Sequence, residues 1–215
     1  MIKTKKRINL THLLGQFTAM CQNSRAPDGD WQGDGWGIAW REKNVWNLKK
    51  SLLPIWEENH NFPMIQNANL LVAHARSAGF PEHKGNIDYN QPFINDSLCF
   101  VFNGMIRGVN LSRHMDGTIG AQKLFSLLAQ HLRFDSVKNS LKSVDKIMLK
   151  NAKRIEGMNI GLAQNDKMYA LCEYEDNAAY FGLQYYQDEN LSLICSSPVD
   201  SYKWKTMKKG EILVL

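Results

Sequence analysis

In the stretch Gln32-Gly33-Asp34-Gly35-Trp36-Gly37-Ile38-Ala39, three glycines occupy five positions at the entrance of a strand. Glycine there permits positive φ and lets a second backbone or a ligand approach closely. A tight turn with a bulge would use the same residues. The strand runs over Gly35–Arg41, and Val45–Leu52 follows as its hairpin partner across Glu42-Lys43-Asn44. Further on, the apolar strand Leu70–Arg76 ends in Ala73-His74-Ala75-Arg76, followed by small residues. A guanidinium is a planar fork suited to bidentate capture of a carboxylate. An arginine snorkelling from a strand end into water is the alternative. His74 reads as a hydrogen-bonded core histidine, since no second His or Cys stands at metal-ligand spacing from it. No metal and no cofactor are expected.

A third segment, Cys99-Phe100-Val101-Phe102-Asn103-Gly104, is a buried strand that ends on Asn-Gly. That pair serves as a hairpin turn in many proteins. It also sets two donors side by side, the Asn carboxamide and the Gly backbone N–H. Such donors stabilise the oxyanion of an acyl-transfer intermediate, and losing one typically costs about 3–4 kcal/mol of barrier.

Around these segments the chain alternates strands and helices. Residues 9–22 carry Leu10, Leu13, Leu14, Phe17, Met20 and Cys21 on one helical stripe, with Asn9 placed as the cap. Residues 118–133 form the clearest helix, and a second follows over 135–149. Strands are expected at Asn159–Gln164, Met168–Tyr174, Ala179–Leu183, Leu191–Ser196 and Glu211–Leu215. No repeat, linker or low-complexity tract interrupts residues 1–215, which read as a single domain. The order of strands, paired helices and strands again suggests sheets with helices on their outer faces.

The chain has 44% hydrophobic and 22% charged residues, enough for a sizeable core. No apolar run reaches the length of a membrane span, and the basic start Met1-Ile2-Lys3-Thr4-Lys5-Lys6-Arg7 has no apolar stretch behind it. A cytoplasmic protein with no membrane partner is expected. Of the four scattered cysteines, Cys99, Cys172 and Cys195 lie in apolar runs and read as buried thiols in a reducing compartment. The net charge of +5 sits in short clusters without a nucleic-acid-binding motif, so a solvated basic surface is expected and nucleic acid is not.

The ordered set Gly33-Asp34-Gly35-Trp36-Gly37-Ile38-Ala39, Ala73-His74-Ala75-Arg76, Asn90-Gln91-Pro92-Phe93 and Phe102-Asn103-Gly104 resembles the class II glutamine amidotransferases. It is most similar to stand-alone bacterial and archaeal members that carry a DGWGIA stretch. Met158-Asn159-Ile160-Gly161, Tyr169-Ala170-Leu171, Ser196-Ser197-Pro198 and Trp204 extend the likeness over nearly the whole chain. The resemblance implies an α+β fold of the N-terminal-nucleophile hydrolase type, a four-layer αββα sandwich with two antiparallel sheets. It implies hydrolysis of the glutamine side-chain amide to glutamate and ammonia by an N-terminal cysteine whose own α-amine is the base. By carry-over, Arg76 holds the substrate α-carboxylate, Asn103 and Gly104 form the oxyanion hole, and Gly35 and Trp36 belong to the loop that walls the pocket. Asp116 is the nearest candidate for the carboxylate that binds the substrate α-amine.

The nucleophile itself is absent. Family members begin Met-Cys, whereas the second residue here is Ile2, and Cys21 lies on the apolar stripe of the first helix. Residues 1–8 do not read as the apolar strand that carries the nucleophile, so an empty slot within a sheet is expected there. An active glutaminase with a longer start, passing ammonia to a separate synthetase, is one reading. A catalytically dead relative that binds glutamine, a γ-glutamyl amide or a protein partner is the other.

Overall fold

A computed structural model describes residues 1–6, 10–26, 29, 31–58, 62, 65, 68–95 and 97–215. Its sheets are built from β1 (Ile2–Thr4), β2 (Trp36–Glu42), β3 (Val45–Ser51), β4 (Leu70–Ala75), β5 (Phe93–Asn95) and β6 (Leu98–Arg107), then β7 (Arg154–Gln164), β8 (Lys167–Cys172), β9 (Gln184–Gln187), β10 (Leu191–Cys195), β11 (Lys205–Thr206) and β12 (Glu211–Val214). The helices are α1 (Leu10–Asn23), α2 (Gly120–Leu132), α3 (Val137–Asn151) and the short α4 (Ala178–Phe181). One sheet has the order β11-β9-β10-β1-β4-β2-β3 and the other β12-β8-β7-β6-β5. Every pairing among them is antiparallel.

The layers follow from period-two alternation along the strands. In the seven-stranded sheet, Ile2, Trp36, Ile38, Leu71 and Leu193 turn to one face and pack on Leu10, Leu13 and Leu14 of α1. Their neighbours Ala39, Leu70, Val72 and Ile194 turn the other way and meet Cys99, Ala163, Met168 and Ala170 of the second sheet. On that sheet's far face, Phe100, Ile160 and Leu162 pack against Leu124, Leu128, Leu141 and Val144 of α2 and α3. Three apolar layers therefore separate helix, sheet, sheet and helices. This is the αββα arrangement that the sequence led us to expect. Asn9, expected to cap α1, lies outside the described residues. Among the described residues no helix is long and apolar enough to cross a membrane.

Three expectations fail. The slot at the start of the chain is filled: Ile2–Thr4 is an inner strand, paired with β10 on one side and β4 on the other. A strand this short needs little apolar sequence. Ile2 and Thr4 are buried, Lys3 alone among the cations lies within the strand, and Lys5 and Lys6 stand exposed beyond its end. The strand expected to stop at Asn103-Gly104 runs on to Arg107. Its partner β7 extends equally far, with a register shift at Met105/Ile106. Finally, the strand expected over Ala179–Leu183 is largely α4. Asn177 enters it in the left-handed conformation, and Asn159 Nδ2 caps the Phe181 carbonyl from β7.

One half-buried carboxylate in this frame sets a pH dependence. Asp145 on α3 has an Oδ1 shut off from water with no hydrogen-bond partner. Burial, and secondarily Glu173, push its carboxyl up from 3.8 to about 6. The folded state thus holds this proton where the unfolded chain has released it, and the contribution to stability is lost as pH rises through that interval. Asp145→Asn should therefore be more stable than the wild type in urea at neutral pH, with the gain shrinking towards about pH 4. A gain independent of pH would contradict the assignment.

Candidate functional site

At one end of the two sheets, the last residues of β4 and the second half of β6 line the same space. His74 and Arg76 continue the alternation of Leu70 and Val72 and so face the gap, as Asn103 does after Cys99 and Val101. An outer cleft of about 770 Å³ opens at this end, with Arg76, Asn103 and Gly104 all on its wall. Behind it lies an inner, mostly apolar cavity of about 150 Å³, reaching from Asn103 to Met1, Cys195 and Cys21. His74, Phe102, Asn103 and Tyr180 form the partition that both share.

The tie that holds this partition is a side chain. Phe93 pairs with Phe100, so Gln91 falls opposite Phe102 in the continued register. The Gln91 backbone instead leaves the sheet and lies against Gly37 of β2, where a Cβ would strike the Gln91 carbonyl. Its carboxamide reaches back in place of the backbone. Phe102 N–H donates to Gln91 Oε1 (2.6 Å), and Gln91 Nε2 donates to the Phe102 carbonyl (3.0 Å). Next to it, Asn90 is fully buried and donates to the Ser51 carbonyl at 2.6 Å.

From the other sheet, His74 Nε2 stands 3.2 Å from the same Phe102 oxygen. Gln91 Nε2 lies 3.3 Å from the same nitrogen, so His74 Nε2 faces both a carbonyl acceptor and an amide donor. Nδ1 is shut off from solvent and has no partner. Burial is the main cause, with Arg76 and Lys50 adding to it against the Phe102 bond, that lowers the His74 pKa to about 4. The imidazole is neutral at physiological pH. The core-histidine reading is correct as to its hydrogen bond, and the ring also borders both cavities.

Arg76 is held from several sides. Its Nη2 donates to the His83 carbonyl (2.9 Å), and its guanidinium lies 5.9 Å from the centre of the Tyr89 ring. It is only 5% exposed, and Nη1 is buried without a partner. Burial lowers its pKa, while Asp34 and Tyr89 oppose that shift. Asp34 is itself engaged by Lys84 (3.0 Å) and by the Ala78 N–H (2.8 Å). Gly104 has φ of +153° and runs so close to the Gly157 carbonyl that no side chain would fit.

Other candidates lie elsewhere. Gly35, at φ +109°, packs on Asn90 and Ser51, and its lack of a side chain serves that contact. Trp36 is fully buried on the α1 face, donating to Glu58 Oε2 (3.2 Å) with its ring edge-on to Phe62, so it does not wall the cleft. Asp116 is exposed and bonded to His114 and Ser126, away from the cleft lining. The four cysteines are free thiols, and Cys195, expected to be buried, is only partly so and borders the inner cavity. At the head of β1, Met1 forms a closed pair with Ile194 through bonds of 2.7 and 3.0 Å. Its thioether lies between the sheets, in the space a side chain on Gly161 would need. Asn90 and Gln91 stood in the resembling set Asn90-Gln91-Pro92-Phe93 but were given no role. Two adjacent carboxamides ahead of a proline and an apolar strand were the available signal.

Solved structures with this arrangement of sheets and helices are informative. A glutamine aminotransferase class-II domain protein from Silicibacter pomeroyi matches with a TM-score of 0.59 and 16% identity, over 83% of this chain and 86% of that one. A predicted glutamine amidotransferase from Pseudomonas aeruginosa matches at 0.57 and 16%, over 84% of each. The glutamine phosphoribosylpyrophosphate amidotransferase of Bacillus subtilis matches at 0.67 and 14%, over 99% of this chain and 46% of that one. The fold is that of class II glutamine amidotransferases. No protein-family model matches the sequence, and no curated protein does. Within the glutamine amidotransferase fold, identities this low speak to architecture, and function has to be argued from the site.

The Gln91 tie can be tested by itself. In Gln91→Leu the Phe102 N–H loses its acceptor inside the protein, which costs about 1–3 kcal/mol. A lower midpoint of denaturation at unchanged slope is expected, and an unchanged midpoint would remove the tie from the account.

Proposed function

We propose that the outer cleft binds the glutamyl part of a γ-carboxamide amino acid, glutamine being the simplest. One observation carries this reading: a guanidinium nitrogen of Arg76 is buried and unpartnered on the wall that also presents Asn103 and Gly104. A buried donor without a partner is costly, and an incoming carboxylate supplies a charge-assisted bond. Arg76 takes the α-carboxylate. The Asn103 carboxamide and the Gly104 N–H take the amide oxygen further along the cleft. This assignment also fits the resemblance to members with a DGWGIA stretch.

Cleavage of that amide needs a nucleophile beside the oxygen site. The head of β1 presents Met1, whose thioether has no proton to lose and forms no thiolate. Cys99 and Cys21 are held protonated by burial. On these residues we read the site as one that binds, with Cys195 the remaining thiol at the inner cavity. An active glutaminase that feeds ammonia to a synthetase in the cytoplasm is the other reading.

Calorimetric titration with glutamine tests the assignment. Binding is expected for the wild type, weakened roughly tenfold or more by Arg76→Ala and by Asn103→Ala, as charge-assisted and neutral hydrogen bonds imply. No ammonia should be released. Binding untouched by Arg76→Ala would remove the carboxylate site. Ammonia release abolished by a thiol-alkylating reagent would restore the enzyme reading.

A further inference from the structure

The outer cleft is larger than a free amino acid requires. At about 770 Å³ it lies within the roughly 300–1,000 Å³ that pockets for drug-sized ligands occupy. Its lining changes character along its length. Arg76, Ser77 and Asn103 bring polar groups to it, among Ala78 and Phe80. Beyond Gly104 the floor becomes apolar, with Met105, Leu111, Met115 and Leu124 on it. Leu111 and Met115 belong to the fringe of the core under α2 and α3, so the floor is a continuation of packed structure.

The far rim is cationic. Arg107, Lys123 and Arg154 stand on it against Glu156 and Asp176. Arg107 and Arg154 converge on the same Glu156 carboxylate, at 2.8 and 3.9 Å, so one anion serves two guanidiniums. Both arginines remain about half exposed, with donors left over for a ligand. Three cations and two carboxylates leave this end of the cleft positive.

We propose that the ligand is a γ-glutamyl amide whose amine part is a bulky apolar group bearing an anionic substituent, and not glutamine itself. This rests on the reading of Arg76, Asn103 and Gly104 as the glutamyl site. With the glutamyl end seated there, the amide nitrogen points along the cleft over Met105 and Leu111. A primary carboxamide would leave that floor in water. An apolar amine substituent covers it and removes apolar surface from solvent on both partners. An anion at its far end meets Arg107, Lys123 and Arg154, where charge-assisted bonds fix its direction. The two ends of the cleft thus read two anions, the α-carboxylate and the distal group, with an apolar body between.

The test is a pair of calorimetric titrations of the whole chain, with glutamine and with the γ-anilide of glutamate carrying a para-carboxylate on the ring. The anilide is expected to bind roughly tenfold tighter or better. In the double variant Lys123→Gln, Arg154→Gln, both exposed positions, the ratio of the two affinities should fall towards one. Equal affinities in the wild type would overturn the proposal and leave the glutamyl site standing. A preference for the anilide that survives the double variant would overturn the anionic substituent. Binding of neither compound would remove the glutamyl site and this inference together.

Discussion

Two sheets packed face to face share no backbone hydrogen bonds, so their spacing at an open end has to be fixed by side chains. Here that constraint is the Gln91 carboxamide, which takes both the N–H and the carbonyl of Phe102 while its own backbone rests on Gly37 of the other sheet. His74 adds a second link from β4 to the same carbonyl. Phe102 immediately precedes Asn103 and Gly104. The position of the two donors relative to Arg76 therefore depends on bonds made by one neighbouring residue. A buried amide bonded at both of its ends rigidifies its surroundings. Beside it, Asn90 Nδ2 donates to the Ser51 carbonyl while its Oδ1 is buried without a partner.

Beside the paired Gln91 carboxamide, two unsatisfied atoms stand out. His74 Nδ1 and Arg76 Nη1 are both shut off from water and both lack partners. They belong to residues lining one cleft. Native structures leave few such atoms, and each asks for a reason. For Arg76 the reason offered is a ligand carboxylate. The neutral imidazole beside it adds no charge to the site, which leaves the guanidinium as the cation that an anionic ligand meets at this end.

Much of this was legible in the sequence. Residues that set the layers do so by alternation and helical spacing, and Leu70, Val72, Leu124 and Leu128 were readable on that basis. Arg76, Asn103 and Gly104 were legible because each breaks the apolar run it follows, although β6 continues past Gly104 to Arg107. Trp36 was assigned to the pocket wall through the resemblance, whereas the alternation of β2 turns it onto α1. Ile2–Thr4 was missed for a different reason. A three-residue strand bonded on both sides is specified by its neighbours' backbones, and its own composition hardly registers. The Gln91 tie depends on register between β5 and β6, which no local pattern encodes.

The most direct check on this account is a crystal structure of the chain grown with glutamine. The α-carboxylate should lie within hydrogen-bonding distance of Arg76 Nη1, with the carboxamide oxygen between Asn103 Nδ2 and the Gly104 nitrogen. Glutamine bound elsewhere, or seated in the cleft with Arg76 Nη1 still unpartnered, would contradict it.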